Sequence, residues 1–301
     1  MTALPQVRVE IGGGIALDVV DLGPRDAPAL IFLHGGPESH RTWRHQIAHL
    51  AGRFRCIAPD QRGYRGSSKP VGVEHYAPGQ MIGDVFRLAD ALGIDRFTVI
   101  GHDWGGAVAW GVAMLGQATG RVMRAIIANA PHPAIFPKLL WTSPSQRAAS
   151  QYFRAFRDPA NDAGLAAQGL APLLARVLPG PASTKMEPAE RAALEADWAD
   201  PAAALAMISW YRASPVFVPP LDAAYALPAD FRPLPVPRLT IPTLVIWGMD
   251  DHALGPENLD GMDDLIADLT VVPVPGCGHF VPWEAPGPVN AAIDAFLARD
   301  R

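Results

Sequence analysis

Short apolar runs, most of them set apart by a helical pattern, constrain this chain more than any other feature. The runs are "ALIFLHGG", "FRCIAPDQ", "FTVIGHD", "RAIIANAPH", "TLVIWGMDD" and "TVVPVPGCGH". Each is too short for a buried helix and reads as a buried strand. Between most of them lie helical patterns such as "GQMIGDVFRLADALGI" and "WGGAVAWGVAML". Alternating strand and helix predicts a mostly parallel sheet with helices on both faces, an α/β class fold. Ahead of it, "QVRVEIGGGIALDVVDLG" sets two alternating runs around Gly12, Gly13 and Gly14, the pattern of a β-hairpin.

The alternation stops near Ala134 and resumes at "TLVIWG". Between them, "SPSQRAASQYFRAFRD", "PAERAALEADWAD" and "PAAALAMISWYRAS" read as helices, and a Pro-rich piece leads back to the strands. The expected organisation is a core of residues 1–133, an inserted helical cap of residues 134–238, and a second part of the core, residues 239–301. A hydrophobic content of 49% over 301 residues supplies a sizeable interior. The formal charge of −5, with no basic run, argues against nucleic acid or anionic membrane as a partner. No apolar run is long enough to span a bilayer, and the start, "MTALPQVRVEIGGG", has no signal-peptide pattern. Only Cys56 and Cys277 are present, which points away from disulfides and cysteine metal sites and suits the cytoplasm.

Within "TVIGHDWGGAVAWGVAM" a strand runs into a helix through a turn that carries Asp103. The turn has the form G-x-D-x-G, the spacing of a nucleophile elbow with Asp in place of Ser. Glycines there allow tight backbone approach. Taken alone, Asp103 could equally be a helix cap. Its partners decide between the two. A nucleophile needs a base, and the base needs a group to orient it. His279 follows the expected last strand, and Asp250 and Asp251 follow the strand before it. All fall beyond C-terminal strand ends, where sites of parallel sheets lie. "LIFLHGGPESHRTW" adds a strand followed by His34-Gly35-Gly36-Pro37, so the backbone N–H groups of Gly36 and Trp104 are the expected oxyanion donors.

With "HGGPES", "DQRGYRGSSKP", "GHDWGG", "NAPHP", "WGMDD" and "GCGHF" in this order, the sequence resembles the α/β-hydrolase superfamily. Within it, the likeness is to epoxide hydrolases and haloalkane dehalogenases, and it covers nearly the whole chain. The resemblance implies an α/β-hydrolase fold with a helical cap and selects Asp251 as the acid, with Asp250 as the fallback. It also implies substrate contacts from His34, Pro37 and Trp104. "QYFRAFRDP" and "SWYRAS" resemble the cap segments that carry the two epoxide-holding tyrosines, here Tyr152 and Tyr211. By pattern alone both could be ordinary core aromatics. Tyr225 matches no motif. Two departures stand out. Arg65 occupies a position where the family often has Gly, so the loop is expected to bend differently. Gly36 stands where epoxide hydrolases often have an aromatic residue, so the pocket is expected to be wider there.

The expected activity is conversion of an epoxide to a vicinal diol through an ester on Asp103. Tyr152 and Tyr211 would hold the epoxide oxygen, and His279 with Asp251 would drive hydrolysis. No metal or organic cofactor is implied. The partners are a small hydrophobic epoxide and water, and the chain is expected to be a monomer or homodimer. One alternative is a haloalkane dehalogenase with Trp104 and a cap tryptophan (Trp141, Trp198 or Trp210) as halide donors. The other is a non-catalytic binding protein on the same scaffold.

Overall fold

The computed structural model describes residues 4–177 and 186–299; residues 178–185, inside the expected cap, and both chain ends lie outside the description. Eight strands form one sheet in the order β1-β2-β4-β3-β5-β6-β7-β8. They are β1 (Val7–Glu10), β2 (Ala16–Leu22), β3 (Ala29–Leu33), β4 (Arg55–Pro59), β5 (Phe97–His102), β6 (Val122–Ala128), β7 (Thr243–Gly248) and β8 (Leu269–Val274). The hairpin β1–β2 and the β2–β4 pair are antiparallel, and every pair from β4 through β8 is parallel. Gly12, Gly13 and Gly14 all take positive φ (84°, 64° and 74°), which fits the tight reversal between β1 and β2.

The six apolar runs become β3 to β8. Strands β3, β4, β5 and β7 are buried at every residue, as strands covered on both faces must be. Their side chains alternate between two cores. Ile31, Leu33 and Val99 join one, and Leu30, Phe32 and Ile100 join the other. Helices α1 (Arg44–Leu50), α12 (Val281–Glu284) and α13 (Pro286–Leu297) cover the second face, and α2 (Pro78–Ala91) and α3 (Asp103–Thr119) the first. The short α11 (Met262–Leu265) precedes β8.

Among the described residues, seven α-helices lie between β6 and β7. They are α4 (Phe136–Thr142), α5 (Pro144–Ala149), α6 (Tyr152–Arg157), α7 (Asp162–Gln168), α8 (Ala171–Val177), α9 (Pro188–Trp198) and α10 (Pro201–Ala213). The stretch expected as one helix, residues 143–158, is broken at Ser150 and Gln151. The cause is the fully buried Arg147, which donates to the Leu140, Trp141, Ala223 and Ala224 carbonyls. Those bonds fix α5 against α4 and the following coil. The break frees α6 to take its own direction, and α6 carries Tyr152. No helix among the described residues is long and apolar enough to cross a membrane.

Candidate active site

Three strand ends deliver the acid–base residues. Asp103 is the first residue of α3 and has φ of 51°, a strained value for any residue with a side chain. Its neighbours must be glycine: a β-carbon on Gly101 would lie 2.4 Å from the Gly105 carbonyl oxygen, and one on Gly105 would lie 2.2 Å from that of Leu33. Asp103 does not cap its helix. Its Oδ1 instead accepts the Gly36 N–H at 2.7 Å, across the gap between the β3 and β5 loops. His279 Nε2 stands 3.5 Å from Asp103 Oδ2, and its Nδ1 is 2.7 Å from Asp251 Oδ2.

Asp251, and not Asp250, reaches the histidine. Its side chain is fully buried, and every remaining lone pair is used. Oδ1 accepts the N–H groups of Ala253 and Leu254, and Oδ2 accepts Asn129 Nδ2 at 2.7 Å. Asn129 in turn is fixed to Gly248 through both ends of its amide. Burial alone would raise both carboxyls. The His279 charge and hydrogen bonds outweigh it and hold Asp103 and Asp251 below the ordinary carboxylate range. Burial likewise opposes charge on His279, but Asp251 and Asp103 on its two sides push its pKa well above the usual value.

Three positioning groups were not singled out from sequence. Asn129 is one. The others are Glu38 and His102, a buried pair whose carboxylate and Nδ1 lie 3.0 Å apart. Glu38 also accepts Trp283 Nε1, and His102 Nε2 donates to the His279 carbonyl at 2.9 Å. The pair therefore ties the Gly36 loop, the Asp103 turn and the His279 loop together. All three residues sit inside quoted motifs, but a motif does not reveal which way a side chain points.

Tyr152 on α6 and Tyr211 on α10 face each other, ring centroids 5.9 Å apart at 77°. The Trp104 ring stands edge-on to Tyr211 at 5.0 Å. Burial raises both phenol pKa values well above normal, and Asp103 contributes its negative charge to each shift. The two phenols thus lie within electrostatic reach of the elbow carboxylate.

Two expectations are corrected, at His34 and at Gly36. His34 is sealed away from any substrate: Nδ1 donates to the Gly35 carbonyl and Nε2 accepts the Gln61 N–H. Pro37 gives its carbonyl to Trp198 Nε1 at 2.7 Å, a clasp between α9 and the Gly36 loop. The loop at Arg65 passes through the left-handed region. Arg65 adopts φ of 47° itself, while its guanidinium bridges Asp60 and Asp197. The wall at Gly36 is not simply wider, because the Tyr64 hydroxyl stands 2.9 Å from where a β-carbon would be. Among the described residues, no cluster of His, Cys, Asp and Glu is placed to hold a metal ion.

Comparison with known proteins agrees with this geometry. A model of the alpha/beta hydrolase fold matches residues 28–286. One solved structure, from work on novel epoxide hydrolases in metagenomes from hot environments, is 62% identical with a TM-score of 0.96, covering 99% of this chain and 100% of its own. A Bacillus megaterium epoxide hydrolase solved with an inhibitor is 29% identical with a TM-score of 0.83, covering 98% of this chain and 100% of its own. Epoxide hydrolase 1 of Caenorhabditis elegans is 30% identical over 94% of this chain and 68% of its own length. The chain belongs to the alpha/beta hydrolase fold family, on its epoxide hydrolase branch.

Proposed function

We propose that this chain hydrolyses a small hydrophobic epoxide to a vicinal diol through a covalent ester on Asp103. The supporting observation is the pair of phenols, Tyr152 and Tyr211, set on helices over an ionised, strained Asp103. Asp103 attacks an epoxide carbon, and the C–O bond of the ring breaks. The oxygen left on the substrate takes hydrogen bonds, and then a proton, from the phenols. Esterification neutralises Asp103, which removes one of the two anions that keep His279 charged. His279 then yields its proton to the phenolate left by ring opening, and the neutral ring takes one from the water that attacks the ester carbonyl; collapse of the adduct breaks the ester C–O bond, the leaving diol oxygen takes that proton, and the Asp103 carboxyl returns its own to His279. Asp251 stays ionised and holds the ring, as Asn129 and two backbone N–H groups hold Asp251. The N–H groups of Gly36 and Trp104 receive the oxyanion. Residues 134–238 act as the cap that closes over this chemistry. The enzyme works in the cytoplasm as a monomer or homodimer.

The dehalogenase reading needs indole N–H groups free for halide. Trp198 and Trp210 instead donate to the Pro37 and Arg62 carbonyls, and Trp141 stacks on Phe217. A non-catalytic binding protein would gain nothing from a strained elbow and a fully hydrogen-bonded acid. One incubation with styrene oxide and 1-chlorohexane tests the assignment. Diol should form with no chloride above the enzyme-free background. Chloride appearing faster than diol would transfer the assignment to the dehalogenases.

A further inference from the structure

Tyr64 lies in the loop after β4, between two left-handed residues, Gly63 at φ 95° and Arg65 at φ 47°. Its ring is 1% exposed and packs edge-on to His34 at 4.6 Å and to Trp210 at 5.8 Å. The hydroxyl is the odd feature. Tyr76, buried just beyond the same loop, donates to the Pro70 carbonyl at 2.9 Å. Tyr64 Oη bonds to none of the described residues, and its ionisation is opposed by burial first and then by the charges of Tyr211, Asp103, Glu38 and Tyr76.

Gly36 shows what the hydroxyl faces. A β-carbon at residue 36 would stand 2.9 Å from Tyr64 Oη, 3.2 Å from Trp104 Cδ1 and 3.9 Å from Asp103 Oδ1. One point on the wall therefore touches the phenol, the indole and the carboxylate. Because residue 36 is glycine, no side chain covers the phenol there. Tyr152 and Tyr211 approach Asp103 from the helical segment, whereas Tyr64 approaches from the loops of the sheet.

This inference rests on the epoxide reading. The reacting carbon must come within roughly 3–3.5 Å of the Asp103 carboxylate. With the ring oxygen held by Tyr152 and Tyr211, an atom beside Gly36 is one or two bonds from that carbon. It belongs to the substituent and not to the ring. We propose that Tyr64 is a specificity-determining residue whose hydroxyl donates to an oxygen on the carbon next to the oxirane, so that the site favours glycidyl ethers and epoxy alcohols over alkyl epoxides. A methylene at that place would leave the phenol unsatisfied, and sites built to hydrogen-bond a group discriminate against analogues that lack it.

Phenyl glycidyl ether and (2-phenylethyl)oxirane differ only by an ether oxygen in place of a methylene. The test is the ratio of kcat/KM for the ether over the carbon analogue, in wild type and in Tyr64→Phe, which keeps the packing. The ratio should fall roughly tenfold in the variant, the scale of one well-placed hydrogen bond. A ratio unchanged by Tyr64→Phe, whether both rates drop or neither does, overturns the proposal. A wild type that hydrolyses neither compound faults the epoxide reading instead. Calorimetric affinities of the two corresponding diols, in wild type and variant, then decide the role of Tyr64. Selective weakening of the ether diol supports it, and equal affinities overturn it.

Discussion

The Tyr152→Phe/Tyr211→Phe double variant should form the Asp103 ester at a rate close to zero. Opening an epoxide puts charge on an oxygen that stays attached to the substrate. That charge must be met in an enclosed site where little water is available to meet it. A phenol, with an ordinary pKa near ~10, can donate a strong hydrogen bond to the oxygen and yield its proton. Burial raises both phenols here, so they stay protonated and able to donate at neutral pH. Each single Tyr→Phe change should slow ester formation by on the order of tenfold or more. A hydrogen bond to a charged group is worth about 1.5–3 kcal/mol. Removing both leaves the developing alkoxide unsupported. The measurement is the pre-steady-state rate of ester formation in wild type, both single variants and the double variant. A double variant that opens epoxides at the wild-type rate would remove the tyrosines from the mechanism.

His279→Gln should stop the enzyme after its first chemical step. Asp103 needs no base in order to attack. Its Oδ1 accepts the Gly36 N–H, which together with the His102 charge lowers its pKa against burial, and His279→Gln leaves both in place. The later step is different, because water must lose a proton as it attacks the ester. Glutamine keeps much of the shape and can still hydrogen-bond, but it cannot take that proton. Protein should therefore accumulate with the substrate attached. Intact mass spectrometry after mixing with epoxide should show the chain plus one substrate, persisting while wild type shows only the free chain. A His279→Gln protein that binds epoxide yet never gains that mass would place the histidine in the first step.

The sequence made the catalytic order legible because each key residue sits just after a strand, and strand ends are set by short apolar runs. Strands β3 to β8 follow those runs, and Asp103, Asp251 and His279 emerge where β5, β7 and β8 stop. Residues that act across the fold were harder to read. Asn129 and the Glu38–His102 pair matter through partners 64 to 177 positions away, and no local pattern encodes such pairings. The break between α5 and α6 was hidden for a similar reason. Local helix pattern continues through Ser150, and the buried Arg147, bonded to carbonyls at both ends of the helical segment, overrides it. His34 has the residue type of a site contact, but its depth in the loop commits both ring nitrogens to backbone. At Arg65, a residue with a side chain takes a left-handed conformation. The ion pairs to Asp60 and Asp197 offset a strain on the order of 1–3 kcal/mol.

The central claim is that an oxygen of the diol comes from Asp103. A single turnover, with enzyme in excess of epoxide, in water enriched in heavy oxygen tests it directly. Attack by labelled water at the ester carbonyl leaves the label on the Asp103 carboxylate. The diol of that first turnover should therefore be unlabelled, and the tryptic peptide containing Asp103 should gain the heavy isotope. A first-turnover diol that carries the full label, with an unlabelled Asp103 peptide, would mean that water attacks the epoxide itself and that no Asp103 ester is formed.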